Sequence, residues 1–303
     1  MSGRRDFIKN SSLAGGTFIL PKLDIEAKPM DKPIKANLII LATNWGFNGT
    51  LDNFCAAVKK EGYDGIEVWV PGTPQEMSEL KNTVARHELK LGLLTGGSDR
   101  LPSKHKLQFT EAIERAISMN PLYINCHSGK DFFEFEENLS ILQASIDLSK
   151  KSGIPLYHET HRGRSLFAAP VTKKFIDKLH DLKLTLDISH WCNVHESLLQ
   201  DQPQNINEAL KRTEHIHARI GHAEGPQVND PRAPEWQEAF NAHLKWWDEV
   251  VARKTNEGKP VTILTEFGPP NYLPTLPYTQ QPVADQWAIN AYMMRFLRNR
   301  YSK

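Results

Sequence analysis

Four short apolar runs in the second half of the chain each end in a side chain that can bind a metal ion: IPLYHET at 154–160, LTLDISH at 184–190, EHIHARIG at 214–221 and VTILTEFGP at 261–269. Apolar runs of this length, each broken by a loop, are typical of buried strands. The side chains at or near their ends are Glu159, Asp187, His217 and Glu266. If the four strands are parallel neighbours, these donors meet at one end of the sheet.

This donor set has a definite metal preference. Two glutamates, one aspartate and one histidine make a mixed oxygen and nitrogen site, which suits a hard or borderline divalent ion such as Mn²⁺, Mg²⁺, Co²⁺ or Zn²⁺. No cysteine belongs to the set, which argues against a closed structural zinc site. The alternative for each acid is a structural one, because a carboxylate at a strand end can also cap the next helix or pair with an arginine.

The same alternation of apolar run and amphipathic stretch extends back to residue 36. It predicts strands at 36–43, 65–70, 90–95 and 122–127, then strands ending at Glu159, Asp187 and near Arg219, and a last strand at 261–266. Eight strand–helix units in this length favour a closed (β/α)8 TIM barrel, an α/β fold, over an open doubly wound sheet. No Gly-x-Gly-x-x-Gly follows the first strand, which argues against a dinucleotide-binding fold. We therefore expect one barrel domain at 31–303, with its strand ends gathered at one mouth.

Residues 1–30 have the composition of a leader. Arg4 and Arg5 precede the weakly apolar stretch SSLAGGTFIL, which is too short to span a bilayer. This pattern resembles a twin-arginine export signal and predicts a periplasmic protein. The alternative is a basic tail on a cytoplasmic protein. No stretch elsewhere approaches ~20 consecutive apolar residues, so we expect no membrane-spanning helix.

The net charge bears on whether the chain binds nucleic acid, and the cysteine count bears on disulfide bonds. The 37 basic and 36 acidic residues of this 303-residue chain leave a net charge of +1. A chain without excess positive charge has no broad field for polyanions, so we expect no nucleic-acid partner. Three scattered cysteines are too few for a disulfide framework.

With these residues placed, the chain resembles the xylose-isomerase-like TIM barrel superfamily, which includes the sugar phosphate isomerase/epimerase family and endonuclease-IV-type enzymes. The resemblance rests on Glu159, Asp187-x-x-His190, His217, Glu266, Gly65-x-Glu67 and His127. It implies that Glu159, Asp187, His217 and Glu266 hold one divalent ion. It also implies that Glu159 and Glu266 are the catalytic acid/base pair on opposite faces of a sugar.

The chemistry is reasonable without the family. A metal ion beside a carbonyl oxygen stabilises an enediolate, and carboxylates on either side can remove and return the proton. The sequence thus predicts an enzyme of EC class 5, a divalent-metal-dependent isomerase or epimerase of a non-phosphorylated sugar or sugar derivative. The alternatives are a 3-keto-glycoside lyase or hydratase on the same metal, an abasic-site nuclease, and a non-catalytic sugar-binding barrel. A homo-oligomer is compatible with the fold.

Residues expected to contact the carbohydrate lie at or just beyond the strand ends. They are His190, Arg219, His127, Glu67, Arg162 and Trp45, and Trp69 and Trp191 are further candidates for stacking on a sugar ring. His215 and His158 are expected to be packed, hydrogen-bonded histidines, and Cys192 a small buried thiol rather than a nucleophile. Strand seven continues as Ala-Arg-Ile-Gly-His where many relatives have Lys-Asp, so we expect a different substrate pocket.

Overall fold

The computed structural model describes residues 27–30 and 33–302. Arg4, Arg5 and the rest of the predicted twin-arginine leader through residue 26 lie outside the described residues. Among the helices that are described, none is both long and apolar enough to span a membrane.

Eight parallel strands close into a barrel in sequence order. The strands are β1 Leu38–Thr43, β2 Gly65–Trp69, β3 Lys90–Gly96, β4 Tyr123–His127, β5 Leu156–Glu159, β6 Leu184–Leu186, β7 Thr213–Ala218 and β8 Val261–Thr265. The barrel closes where β1 pairs with β8, from Leu38 opposite Val261 to Ala42 opposite Thr265. The predicted fold and the existence of all eight strands are confirmed, and the strand ends differ from the predictions by at most two residues.

Helices connect successive strands on the outside of the barrel. They are α1 Leu51–Glu61, α2 Pro74–Arg86, α3 Pro102–Ser118, α4 Phe135–Ser152, α5 Ala169–Lys178, α6 Ser189–Val194, α7 Pro203–Arg212, α8 Gln237–Asn256 and α9 Gln286–Arg300. Between β6 and β7 the sequence predicts a single helix, near 205–212, which corresponds to α7. It missed α6 because six residues are less than two turns and no side chain caps the start of this helix.

Local signals explain where several helices begin and end. The Thr50 hydroxyl accepts a hydrogen bond from the Asn53 N–H at the start of α1, and Gly62 ends this helix in the left-handed conformation with φ of 92°. At the start of α2, Thr73 and Glu76 form a reciprocal capping box. The sequence predicts a helix near 50–62 that Gly62 ends and a second helix that begins near Thr73, and α1 and the start of α2 agree with these predictions.

The core has two parts. Most buried apolar residues lie between the strands and the surrounding helices. A small cluster inside the barrel contains Ile39, Leu41, Tyr123 and Leu264. The strand residues nearer the carboxyl ends are polar and buried, so a polar layer lies between this apolar cluster and the mouth of the barrel.

Candidate metal centre

The carboxyl ends of β5 to β8 bring four predicted ligands together. Glu159 is the last residue of β5, Asp187 follows β6 directly, His217 lies within β7, and Glu266 follows β8 directly. One donor atom from each of them lies within 4.8 Å of the others. All four side chains are buried, and Glu266, with 8% of its surface exposed, is the closest of them to solvent. The barrel thus assembles the predicted set from positions far apart in sequence.

Unpartnered donor atoms in this cluster fit a bound cation. The Nδ1 atom of His217 lies 2.8 Å from Glu266 Oε2 and 3.6 Å from Glu159 Oε2. Despite these short distances, His217 Nδ1, Glu266 Oε2 and Glu159 Oε1 are buried without an aligned hydrogen-bond partner among the described residues. Buried polar atoms rarely stay unpaired, and oxygen and imidazole nitrogen are donors that divalent ions accept. The residues present therefore fit a divalent metal ion.

The electrostatics of the cluster also favour a cation. Burial lowers the pKa of His217, but the carboxylates of Glu266, Glu159 and Glu67 raise it more strongly, so that it lies well above its usual value. Burial raises the pKa of Asp187 to about 7; Arg219 opposes this shift, whereas Glu266 and Glu159 add to it. The raised pKa of His217 reflects the surrounding carboxylates, and that of Asp187 reflects burial first and the neighbouring carboxylates second. A divalent ion would supply positive charge beside these carboxylates.

Glu67 lies beneath the four ligands. Its Oε1 atom is 3.2 Å from His217 Nε2, and its Oε2 accepts a hydrogen bond of 2.7 Å from the Tyr123 hydroxyl. The Asn125 amide donates to Oε1 at 3.3 Å, and His215 Nε2 lies 3.2 Å from Oε2. The Asn125 amide nitrogen also lies 3.2 Å from His217 Nε2, so Asn125 and Glu67 share this nitrogen. In the tautomer in which Nε2 carries the proton and Glu67 accepts it, the Nδ1 lone pair is directed at the other ligands.

This position corrects the expectation that Glu67 contacts substrate. Only 2% of its surface is exposed, and both of its oxygens are occupied by neighbouring side chains within the barrel. His215, in contrast, is the packed residue that was predicted, since its Nδ1 lies 2.9 Å from the Thr262 hydroxyl oxygen.

Several predicted substrate-contacting residues border the cluster at the mouth. His127 Nε2 donates to Glu159 Oε2 at 2.9 Å. Arg219 forms an ion pair with Asp187, lies 3.4 Å from Glu266 Oε2, and donates to His190 Nε2 at 2.9 Å. Arg219 Cζ also lies 5.9 Å from the ring centroid of Trp45. These side chains form a continuous rim around the candidate ligands.

The three tryptophans that were candidates for stacking on a sugar ring differ in solvent exposure. Trp45 and Trp69 are 37% and 53% exposed, and the Trp69 ring lies 5.4 Å from that of His127. Trp191 is fully buried, and its Nε1 donates to the Leu166 carbonyl at 2.9 Å, so it cannot stack on a sugar. Cys192 is a buried thiol as predicted, and burial raises its pKa well above the usual value.

Asn125 and Tyr272 lie near the site and are not among the residues predicted from the sequence, whereas His161 belongs to the basic loop 161–164 after β5, for which the sequence left open closure over substrate or a plain surface loop. Asn125 donates to Glu159 Oε2 at 2.8 Å, and it lies two residues before His127, where strand alternation could have revealed it. His161 packs between two other histidines, with ring centroids 4.7 Å from His127 and 3.9 Å from His190. The ring centroid of Tyr272 lies 4.7 Å from Arg219 Cζ. Tyr272 belongs to a long proline-rich loop whose sequence carries no local signal for this placement.

Solved structures share this architecture at low sequence identity. The 3-keto-D-glucoside 4-epimerase from E. coli matches with 13% identity and a TM-score of 0.59, covering 86% of this chain and 99% of that one. A D-tagatose 3-epimerase-like protein matches with 14% identity and a TM-score of 0.60, covering 87% and 97%. A probable 3-DHS dehydratase from Bacillus anthracis matches with 16% identity and a TM-score of 0.57, covering 87% and 99%. At these identities the likeness establishes the fold.

Among curated proteins, no sequence matches this chain significantly. The family model described as xylose isomerase-like TIM barrel matches residues 55–233, which is more than half of the 303-residue chain. Together with the closed eight-stranded barrel, this match means that the chain belongs to the xylose isomerase-like TIM barrel family.

Proposed function

We propose that the protein is a divalent-metal-dependent sugar isomerase or epimerase that acts through an enediolate on a non-phosphorylated sugar or sugar derivative. One observation carries the proposal: two buried carboxylates from strand ends on different sides of the mouth, Glu159 and Glu266, approach the same ligand atom, His217 Nδ1, at 3.6 and 2.8 Å. Glu159, Asp187, His217 and Glu266 would hold one Mn²⁺, Mg²⁺, Co²⁺ or Zn²⁺ ion. The ion would polarise the carbonyl oxygen of the sugar and so acidify the neighbouring C–H bond.

Glu159 and Glu266 are the proposed acid/base pair. Asn125 and His127 both donate to Glu159 Oε2, which orients the carboxylate and leaves Oε1 without a partner among the described residues. Glu266 Oε2 lies 2.8 Å from His217 Nδ1 and 3.4 Å from Arg219 Nη2, but it too has no aligned hydrogen-bond partner in the described part of the chain. A proton removed by one carboxylate and returned by the other inverts the carbon centre, whereas return to the adjacent carbon isomerises the sugar.

The rim residues would bind and orient the substrate. Arg219 and His190 are buried, hydrogen-bonded to each other and adjacent to Asp187, so they are held in place to bind sugar oxygens. Trp45 and Tyr272 supply ring faces at the mouth, which suit the apolar face of a sugar. The apolar cluster beneath the polar layer closes the lower barrel and keeps water from approaching the carboxylates from below.

A lyase or hydratase that acts on a 3-keto-glycoside is the second candidate. It shares the first step, removal of a proton beside a ketone, and differs in that the neighbouring oxygen then leaves. The position of His161 supports a lyase or hydratase, because this imidazole lies beside His127 at the mouth and could protonate a leaving oxygen. Burial and then the charge of His127 lower the pKa of His161 to about 3, against the opposing effect of Glu159. His161 is therefore neutral near pH 7 and would first have to take up a proton, such as the one removed from the substrate, before it could protonate a leaving oxygen.

The other two alternatives are less well supported. An abasic-site nuclease needs more metal ions and a basic groove for DNA, and a net charge of +1 provides no such field. A non-catalytic sugar-binding barrel would not require the unpartnered carboxylate oxygens that surround His217. We also propose export through the twin-arginine pathway, on the basis of the Arg4-Arg5 leader.

Deuterium exchange tests the enolisation step. The metal-stripped protein is incubated in D₂O with D-fructose, D-tagatose or methyl 3-keto-glucoside, without metal and with each divalent ion, and the sugars are followed by NMR. We expect exchange beside the carbonyl of at least one sugar only when metal is present. Exchange with retention of all substituents indicates an isomerase or epimerase, and loss of the neighbouring oxygen indicates the lyase.

Variants localise the chemistry. Glu266→Gln and Glu159→Gln should each slow exchange by a factor of about 10² to 10⁴ and leave thermal unfolding close to that of the wild type. Glu249→Gln, at an exposed position on α8, is the matched control and should exchange normally. Normal exchange in Glu266→Gln, or equal exchange after metal removal, would contradict the proposal.

A further inference from the structure

Two arginines in the loop after β5 face the mouth beside the candidate ligands. Arg162 Cζ lies 5.2 Å from the ring centroid of Tyr272, the ring that Arg219 also contacts. Arg164 Nη2 lies 3.5 Å from His127 Nδ1, and the other nitrogen of that imidazole donates to Glu159. A single ring therefore separates each guanidinium from the site: Tyr272 lies between Arg162 and Arg219, and His127 lies between Arg164 and Glu159.

Neither arginine has an acidic partner within residues 27–30 and 33–302, where no carboxylate oxygen lies within 4.0 Å of either guanidinium. Arg162 Nη1 donates to the side-chain oxygen of Asn193 at 3.1 Å. Arg164 Nη1 is buried and has no hydrogen-bond partner in the same part of the chain. Partial burial of a charge without a counter-charge costs free energy, so an unpaired guanidinium at a binding mouth indicates that a ligand supplies the missing acceptor.

A third cation strengthens the positive charge on this side of the mouth. Lys130 lies in the loop after β4, and burial together with the charge of Arg164 lowers the pKa of this lysine. Asp131 is the acid that interacts electrostatically with both, but it is exposed and does not pair with either one within 4.0 Å.

The charges at the mouth do not cancel when these residues are included. Glu159, Asp187, Glu266 and Glu67 carry four negative charges, and Arg219 with a divalent ion would supply three positive charges, which leaves one negative charge. Arg162, Arg164 and Lys130 carry three positive charges and so exceed that remainder, and the exposed Asp131 and the ligand Glu159 both act electrostatically on Arg164. A neutral sugar would leave this excess without a counter-charge.

We propose that the substrate carries an anionic oxygen group, a carboxylate or a phosphate, which Arg162 and Arg164 bind while the reacting end of the sugar lies against the metal ligands. The planar guanidinium fork matches such groups, because it can donate two parallel hydrogen bonds to two oxygens of one anion. This inference rests on the proposed function for the location of the sugar at the mouth. A carboxylate agrees with the expectation of a non-phosphorylated substrate, and a phosphate would overturn that expectation.

Matched pairs of sugars test the inference by binding alone. Isothermal titration in buffer containing Mn²⁺ compares D-glucose with D-glucuronate, D-tagatose with D-tagaturonate, and D-fructose with D-fructose 6-phosphate. We expect the acidic member of at least one pair to bind about ten-fold more tightly or better. Preference for a uronate identifies a carboxylate, and preference for the sugar phosphate identifies a phosphate.

Arginine variants separate this subsite from direct binding of an acid to the metal ion. Arg164→Gln and Arg162→Gln should each reduce the preference for the acid to about two- to three-fold or less, with little change for the neutral sugar. Arg212→Gln is the control, since this arginine ends α7 just before β7, at the opposite end of the barrel. Thermal unfolding of each variant verifies that it is folded.

These titrations measure binding, so they test the anion subsite whether or not the protein turns over a sugar. Equal affinity within every pair, no binding by any of the three acids, or an unchanged preference in both mouth variants would overturn the inference. If the acid preference depends on Arg162 and Arg164 but no sugar exchanges deuterium, the subsite stands and the proposed isomerase activity fails.

Discussion

Replacement of Glu67 by glutamine tests whether this buried carboxylate positions a metal ligand. The carboxylate lies within hydrogen-bonding distance of four side chains: Tyr123, Asn125, His215 and His217. Glutamine has one acceptor oxygen in place of two, and its NH₂ group would face groups that already donate. The Nε2–H of His217 then loses its charged acceptor, and the imidazole is free to adopt the tautomer in which Nδ1 carries the proton and cannot bind a metal ion.

The expected loss is largest in metal affinity. Removal of a partner that orients a ligating histidine typically weakens metal binding by about 10- to 100-fold, which corresponds to about 1.4 to 2.7 kcal/mol. The unsatisfied groups left in the barrel should also lower the free energy of unfolding by about 1–3 kcal/mol. We expect Glu67→Gln to be folded, less stable, and to bind Mn²⁺ with a Kd raised by that factor, measured by calorimetric titration at pH 7.5.

Tyr123→Phe provides the matched control. It removes the 2.7 Å hydrogen bond to Glu67 Oε2 but leaves Oε1 beside His217. This variant should lose stability and keep the wild-type affinity for Mn²⁺. A wild-type Kd in Glu67→Gln, or equal weakening in the two variants, would refute the argument that Glu67 acts through the tautomer of His217.

Three further predictions concern other parts of the chain. Burial lowers the pKa of His243 from 6.5 to about 4, so the folded state favours the neutral imidazole. The stability that neutral His243 contributes to the fold is fully present above pH 6.5 and is lost as the pH falls towards 4. His243→Gln should therefore reduce the loss of stability between pH 7.5 and pH 5 by about 2 kcal/mol, measured by urea unfolding, and an unchanged loss would contradict this origin. A Cβ atom at Gly268 would lie 2.3 Å from Trp45 Cη2, so Gly268→Ala should displace the indole from the mouth and raise KM more than it lowers kcat for the sugar that exchanges deuterium. The opposite split, a fall in kcat at constant KM, would count against a binding role for Trp45. Replacement of Arg4 and Arg5 by lysine should retain the protein in the cytoplasm of a bacterial host, measured by fractionation, and unaffected export would exclude the twin-arginine interpretation.

The agreement between sequence and structure is greatest where local patterns carry the information. Apolar runs separated by amphipathic stretches indicated all eight strands, and the predicted helix end at Gly62 and helix start near Thr73 agree with the structure. Strand alternation placed His215 and His217 on the same face of β7, and closure of the barrel brought Glu159, Asp187, His217 and Glu266 together.

The expectations that needed correction depend on depth and on contacts between distant segments. The alternation of side chains along β2 predicts that Glu67 points into the barrel, as residues at the mouth do. Glu67 is only the third residue of β2, however, and its side chain lies beneath the ligands. Trp191 follows a strand end, yet α6 turns it into the core. Neither outcome follows from the local pattern, because burial depends on which elements pack above each residue.

The amino-acid sequence by itself determined the class of fold and the order of the candidate ligands, because the period of apolar residues is a local property that a parallel barrel converts directly into position. Only the tertiary structure decided which nitrogen of His217 faces the other ligands, that Tyr272 lies over Arg219, and that Arg162 and Arg164 have no acidic partner among the residues that the structure describes. These features arise from distances between residues that are far apart in the chain, and such distances are set by the closed packing of all eight strands and their loops.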